Sequence, residues 1–75
     1  MKETLQELIA DVSGFDPEDI TDDIDFFEEG ILDSFGVVHL LVKIEEAFGK
    51  KINIAEIVRD DINTMDKLIA MVENV

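Results

Sequence analysis

Between Asp16 and Asp33 the chain places nine carboxylates and no basic residue, and the apolar residues threaded among them (Ile20, Ile24, Phe26, Phe27, Ile31, Leu32) follow no helical period. That combination excludes a regular helix, and it carries too much apolar surface for a free linker. The segment is therefore expected to be a long ordered loop. Phe26 or Phe27, together with Leu32, should pin it onto a core built elsewhere, with a short turn at Asp16-Pro17-Glu18.

The core must come from the helical patterns on either side. Leu5, Leu8, Ile9 and Val12 recur at spacings of three and four, which predicts a first amphipathic helix. Thr4 with Glu7 three residues on suggests a capping box at its start, and Gly14 a left-handed stop. A second helix opens at Asp33 or Ser34 as cap, runs along Val37, Leu40, Leu41, Ile44 and Phe48, and stops at Gly49. The apolar segment from Ile52 to Ile62 predicts a short helix around Ala55 to Arg59. Thr64 is placed to cap a last helix with the stripe Met65, Leu68, Ile69, Val72 and Val75. No segment reads as a paired strand, and no repeat or second domain is visible. The expectation is one all-α domain over residues 1–75, a small antiparallel bundle of three main helices plus one short helix.

Composition narrows the function. Seventy-five residues hide only about 60% of the surface of the unfolded chain, so stability is expected to be marginal. The net charge of −13 opposes binding to nucleic acid or to anionic lipid. With no cysteine there is no disulfide, thiolate metal site or sulfur nucleophile, so any thiol chemistry must be imported. The charged start and the lack of any membrane-length apolar run lead to the expectation of a soluble, cytoplasmic protein, and a monomer is expected. The cluster Asp22, Asp23, Asp25, Glu28 and Glu29 lacks the spacing of a calcium loop, and no metal site is expected.

The single histidine, His39, falls opposite the core stripe of the second helix and reads as a solvated side chain. A hydrolase using Ser34 and His39 is opposed by that spacing and by the lack of a third orienting group. An acidic helical adaptor would share the charge and the bundle without needing Ser34. What stands out is Gly30-Ile31-Leu32-Asp33-Ser34-Phe35-Gly36, where a serine sits at the junction of an acidic loop and a helix. From position alone that serine reads as an ordinary helix cap.

The run from Phe27 to Gly36, followed by Val38, Leu40, Leu41, Ile44, Glu45, Glu46 and Phe48, resembles the acyl and peptidyl carrier proteins around their Asp-Ser attachment motif. The likeness extends over nearly the whole chain. It implies an acyl-carrier-like fold with no catalysis of its own, in which Ser34 bears 4′-phosphopantetheine and Asp33 serves as motif residue and cap. It further implies a phosphopantetheinyl transferase to attach the arm, a loading ligase, and a downstream acyltransferase. The cargo would be an acyl or aminoacyl thioester in a specialised pathway. Asp33-Ser34-Phe35-Gly36, the preceding Gly30-Ile31-Leu32, and Arg59 to Thr64 are similar to the D-alanyl carrier proteins of teichoic-acid modification. Ile62 and Met65 depart from that pattern, where an aromatic residue and a proline are frequent. A carrier of general fatty-acid synthesis is the other alternative, but those carriers usually have acids where this chain has Gly36 and His39, and Lys43 adds a positive charge. The candidate partner contacts are Phe35, Gly36, Val38, His39, Val42, Glu45, Glu46 and Ile57. For Phe35, Val38 and Val42, packing against the third helix is the competing expectation.

Overall fold

A computed structural model describes all residues 1–75. Its helices are α1 (Lys2–Ser13), α2 (Ser34–Phe48) and α3 (Met65–Glu73), joined by segments that contain 3-10 turns at Pro17–Asp19, Ile54–Glu56 and Arg59–Asp61. There is no strand, and the bundle measures 27 × 21 × 20 Å.

Each helix contributes the stripe its periodicity predicts, except that Val75, expected to end the last stripe, lies beyond α3, which stops at Glu73, and is exposed. Leu5 and Ile9 of α1, Leu40, Leu41 and Ile44 of α2, and Met65, Leu68 and Val72 of α3 meet in one buried core. Leu8, Val12, Val37, Phe48 and Ile69 pack half-buried at its edge. Gly14 and Gly49 end α1 and α2 in the left-handed conformation. Asp33 caps α2 and Thr64 caps α3, where its hydroxyl accepts from Lys67 N at 3.4 Å.

Two other local expectations are corrected. No capping box forms at Thr4. The helix starts at Lys2, where Leu5 N–H reaches Met1 O at 3.0 Å and Lys2 Nζ bonds Asp22 Oδ2 at 2.6 Å, so Thr4 already lies inside the first turn. The short helix around Ala55 to Arg59 is divided into two 3-10 turns by extended backbone at Ile57 and Val58. β-Branched residues at 52, 54, 57 and 58 oppose a continuous α-helix, and the extended pair sends Ile57 to the edge of the core while Ile62 is buried.

The acidic loop is part of the core. Ile20, Phe26, Ile31 and Leu32 are all buried, Phe26 completely, and Phe27 is half-buried. The backbone of Phe26 organises the segment. Its carbonyl accepts from Ile31 N at 2.9 Å and Leu32 N at 3.0 Å, and its N–H donates to Asn63 O at 2.8 Å. Beside it, Asp25 Oδ1 accepts from Phe27 N and Glu28 N at 2.9 and 3.0 Å, while Oδ2 accepts from Asn63 Nδ2 at 2.9 Å. These bonds tie the loop entering α2 to the segment entering α3. Gly30 closes the turn with φ of 74°, a conformation that costs any other residue about 1–2 kcal/mol.

The same contacts set the ionisation of Asp25. The Glu28 N–H bond is the largest influence lowering its pKa below the ordinary carboxylate value. Partial burial opposes it, and the Phe27 N–H, the Asn63 amide and the charge of Arg59 add to the lowering.

Two outcomes follow for stability. Phe26→Ala should cost about 3–5 kcal/mol, a large share of the ~4–11 kcal/mol available to a chain this size; urea titration would reveal it as a midpoint shift. Asp25, with its folded pKa depressed, stabilises the fold above its unfolded pKa of about 3.9, and that contribution fades as pH falls through the lower folded value. The difference in stability between wild type and Asp25→Asn should therefore be constant near neutrality and shrink below about pH 4. Using the difference removes the general relief of repulsion that acid brings to a chain of charge −13.

Candidate functional site

The loop delivers Asp33 and Ser34 to the start of α2 in a fixed geometry. Leu32 is buried, so the chain leaves the core at Asp33, whose backbone is extended (φ −124°, ψ −173°). Asp33 Oδ1 accepts from Gly36 N at 2.7 Å, and its carbonyl accepts from Val37 N at 2.9 Å. With the cap position filled by Asp33, Ser34 becomes the first helical residue and its side chain is exposed. The N–H groups of Ser34 and Phe35 have no acceptor within the chain, which leaves two donors and the positive end of the helix dipole beside the hydroxyl.

Ser34 lies at the edge of a groove of about 460 Å³. One wall is the first two turns of α2, with Val37, Val38 and Leu41. The other is the segment between α2 and α3, with Ile54, Ile57 and Val58, and the lining also includes Phe27, Leu32 and Ile62. Its polar members are Asp33, Ser34 and Arg59, whose guanidinium lies over the Phe27 ring at 4.6 Å from the centroid. The groove can hold a slender, largely apolar chain leaving Ser34.

The remaining sequence candidates divide. Phe35, Val38 and Val42 are 83%, 44% and 40% exposed. They therefore form an outward patch, which answers the competing expectation that they pack on the third helix. His39 and Glu46 are exposed, and Lys43 is half-exposed. No acid occurs from Ser34 to Ile44, so the first three turns of α2 interrupt the negative surface of the protein.

Gly36 and Glu45 have internal roles. A Cβ at Gly36 would meet Asp33 Oδ1 at 3.2 Å and Val12 Cγ1 at 3.5 Å, so this position packs the start of α2 against α1. Glu45 is half-buried and its Oε2 accepts from Ile52 N at 2.8 Å, which holds the chain after α2 in place. Ile57 is half-buried in the groove wall.

Sequence reasoning missed Asp25, Asn63 and the placement of Arg59. Asp25 carried a readable signal, since an Asp two residues before a loop N–H commonly forms an Asx turn. Asn63 and Arg59 carried none, because their partners are 38 and 32 residues away.

Comparison with known proteins agrees with this geometry. Residues 3–72 match the family model described as "Phosphopantetheine attachment site". A D-alanyl carrier protein of Lactococcus lactis subsp. lactis is 44% identical over 75 residues, covering 97% of this chain and 92% of the relative. One from Bacillus velezensis is 43% identical over 68 residues, covering 91% and 87%. One from Leuconostoc mesenteroides is 40% identical over 74 residues, covering 99% and 94%. With a family match spanning most of its length and relatives at these identities, the chain belongs to the phosphopantetheine-bearing carrier proteins and has the acyl-carrier-like helical fold.

Proposed function

We propose that Ser34 is the point at which 4′-phosphopantetheine is joined, and that the chain carries D-alanine as a thioester from a loading ligase to a downstream acyltransferase. The observation that carries this reading is the exposed Ser34 hydroxyl at the first position of α2, beside an apolar groove, in a chain whose relatives are named D-alanyl carrier proteins. The local residues suit such an arm. The unpaired N–H groups of Ser34 and Phe35 and the helix dipole favour an anionic phosphodiester, and nine of the twelve groove residues are hydrophobic. When bound, the arm supplies the thiol that a chain without cysteine lacks.

The protein itself performs no bond chemistry in this reading. The only carboxylate in the groove, Asp33, is engaged by Gly36 N, and no histidine or lysine lines it. A phosphopantetheinyl transferase must therefore supply the base. The Ser34 hydroxyl oxygen bonds to the β-phosphorus of coenzyme A, 3′,5′-adenosine bisphosphate departs, and the hydroxyl proton passes to that base. No helix is long and apolar enough to cross a membrane. We assign the carrier to the cytoplasm, where coenzyme A and an adenylating ligase meet, and to a monomeric state as one domain over residues 1–75.

Recognition rests on Phe35, Val38 and Val42, the apolar patch next to Ser34, with His39 and Lys43 beside it and Glu46 beyond. An acid-free patch on a polyanion suits a partner that offers apolar contact near Ser34 and basic groups farther away.

Incubation with coenzyme A and a promiscuous phosphopantetheinyl transferase should add one arm to the wild type and none to Ser34→Ala by intact mass; an arm on Ser34→Ala would show that the attachment point lies elsewhere. In loading assays on the holo protein, Phe35→Ala should lower kcat/KM with a D-alanine-activating ligase by about tenfold, the loss of one aromatic anchor, and Lys43→Glu should lower it less. A fatty-acid acyltransferase should load the wild type poorly. Loading equal to that of its own carrier would show the features of α2 to be without effect on partner choice.

A further inference from the structure

Arg59 is the only one of the six Lys and Arg residues that lines the groove holding Ser34. Its environment is unusual for this chain. The guanidinium carbon lies over the half-buried Phe27 ring, 4.6 Å from its centroid, a cation–π contact that favours this placement. Yet it donates no hydrogen bond and no carboxylate lies within ion-pairing distance, although nineteen acids surround it in the sequence; the single ion pair of the protein is Lys2 with Asp22. Its backbone is fixed as well, because it begins the 3-10 turn in which Asp61 N donates to Val58 O at 3.0 Å and Ile62 N donates to Arg59 O at 3.2 Å. The result is a planar cation with free donors, held on the wall opposite the first two turns of α2.

A phosphodiester on Ser34 creates a charge problem that this cation can offset. It adds a negative charge directly after Asp33, at the end of an eighteen-residue segment with nine acids and no base. The two free N–H groups at the start of α2 supply partial charge only, whereas guanidinium matches the oxygens of a phosphodiester in charge and in paired geometry. We propose that Arg59 is a positioning residue for the arm: its guanidinium, held over Phe27, binds the phosphodiester borne by Ser34 and directs the arm into the groove between α2 and the Ile54–Ile62 segment. This rests on the assignment of Ser34 as attachment site. Since Arg59 is exposed, the contact is screened by salt and orders the arm without locking it, leaving it free to enter partner enzymes.

The test uses the full chain in apo and holo forms, with wild type, Arg59→Gln and Arg59→Lys, the holo forms made with coenzyme A and with a fluorescent coenzyme A analogue. Intact mass first establishes that each takes one arm; failure of the wild type to be modified would strike at the Ser34 assignment, and modification of all three isolates the role of Arg59. On conversion from apo to holo the Arg59 Nε–H resonance of the wild type should shift, and the shift should diminish at high ionic strength. The anisotropy of the fluorescent arm should fall in Arg59→Gln, with Arg59→Lys failing to restore it fully because ammonium lacks the paired donors. Phe27→Leu should weaken the same ordering while Arg59 is still present. A purely structural Arg59 would change the melting temperature of apo and holo forms alike and leave the arm's anisotropy unmoved, which would overturn the proposal. An Nε–H resonance that is unchanged in the holo protein and moves only when a partner enzyme is added would also overturn it, and would assign the cation to a partner's acid instead.

Discussion

Everything that positions Ser34 depends on how Phe26 is held. Its ring is fully buried, its carbonyl receives the N–H groups of Ile31 and Leu32, and its own N–H is given to Asn63. These few bonds convert the most highly charged part of the chain into a rigid lead-in to α2. Carboxylates at nine positions would otherwise favour expansion, and the single exposed ion pair, Lys2 with Asp22, contributes little against that. Burial of Ile20, Phe26, Ile31 and Leu32 is the larger effect, because a completely buried side chain of this kind contributes about 1.5–3 kcal/mol. Asp25 adds to it by using its charge on backbone N–H groups. The neighbouring Asn63 Oδ1 is left buried without a partner, so the clasp is not without cost.

The same arrangement sorts the surface. Acids are concentrated on the loop, while α2 from Ser34 to Ile44 carries none and exposes Phe35, Val38 and Val42. In the proposed reading a partner would meet long-range attraction from the loop and short-range apolar contact beside Ser34, two terms that act at different distances and can be varied separately. Because α2 is packed through Leu40, Leu41 and Ile44, with Gly36 drawn close to Val12, the patch is presented by a firmly packed helix.

Much of this was legible in the residues. The three helical stripes, the Gly14 and Gly49 stops, the caps at Asp33 and Thr64, and the pinned acidic loop all follow from spacing and local chemistry. The proposal for Ser34 draws on its Asp-Ser setting and its likeness to a family, whereas position alone made it an ordinary cap. What was not legible depends on distant contacts. The start of α1 moved forward of Thr4 because Met1 and Asp22 offered bonds there, and the Ile54 to Asp61 segment broke into two turns because its β-branched residues had a groove to line. Glu45 and Gly36 sit on the same helix as the exposed apolar patch. Only the approach of Ile52 and of Val12 reveals that they face inward.

Native-state hydrogen exchange at the amides of Phe26, Ile31 and Leu32 tests the central claim most directly, since all three donate within the clasp. If the acidic loop is a structural part of the core, these amides should exchange with opening free energies close to those of Leu40 and Leu41 in α2, and all should fall together in Phe26→Ala. Exchange at the rate of free peptide for Phe26, Ile31 and Leu32, with α2 remaining protected, would mean that the loop is an independent appendage and that the placement of Ser34 is set by α2 alone.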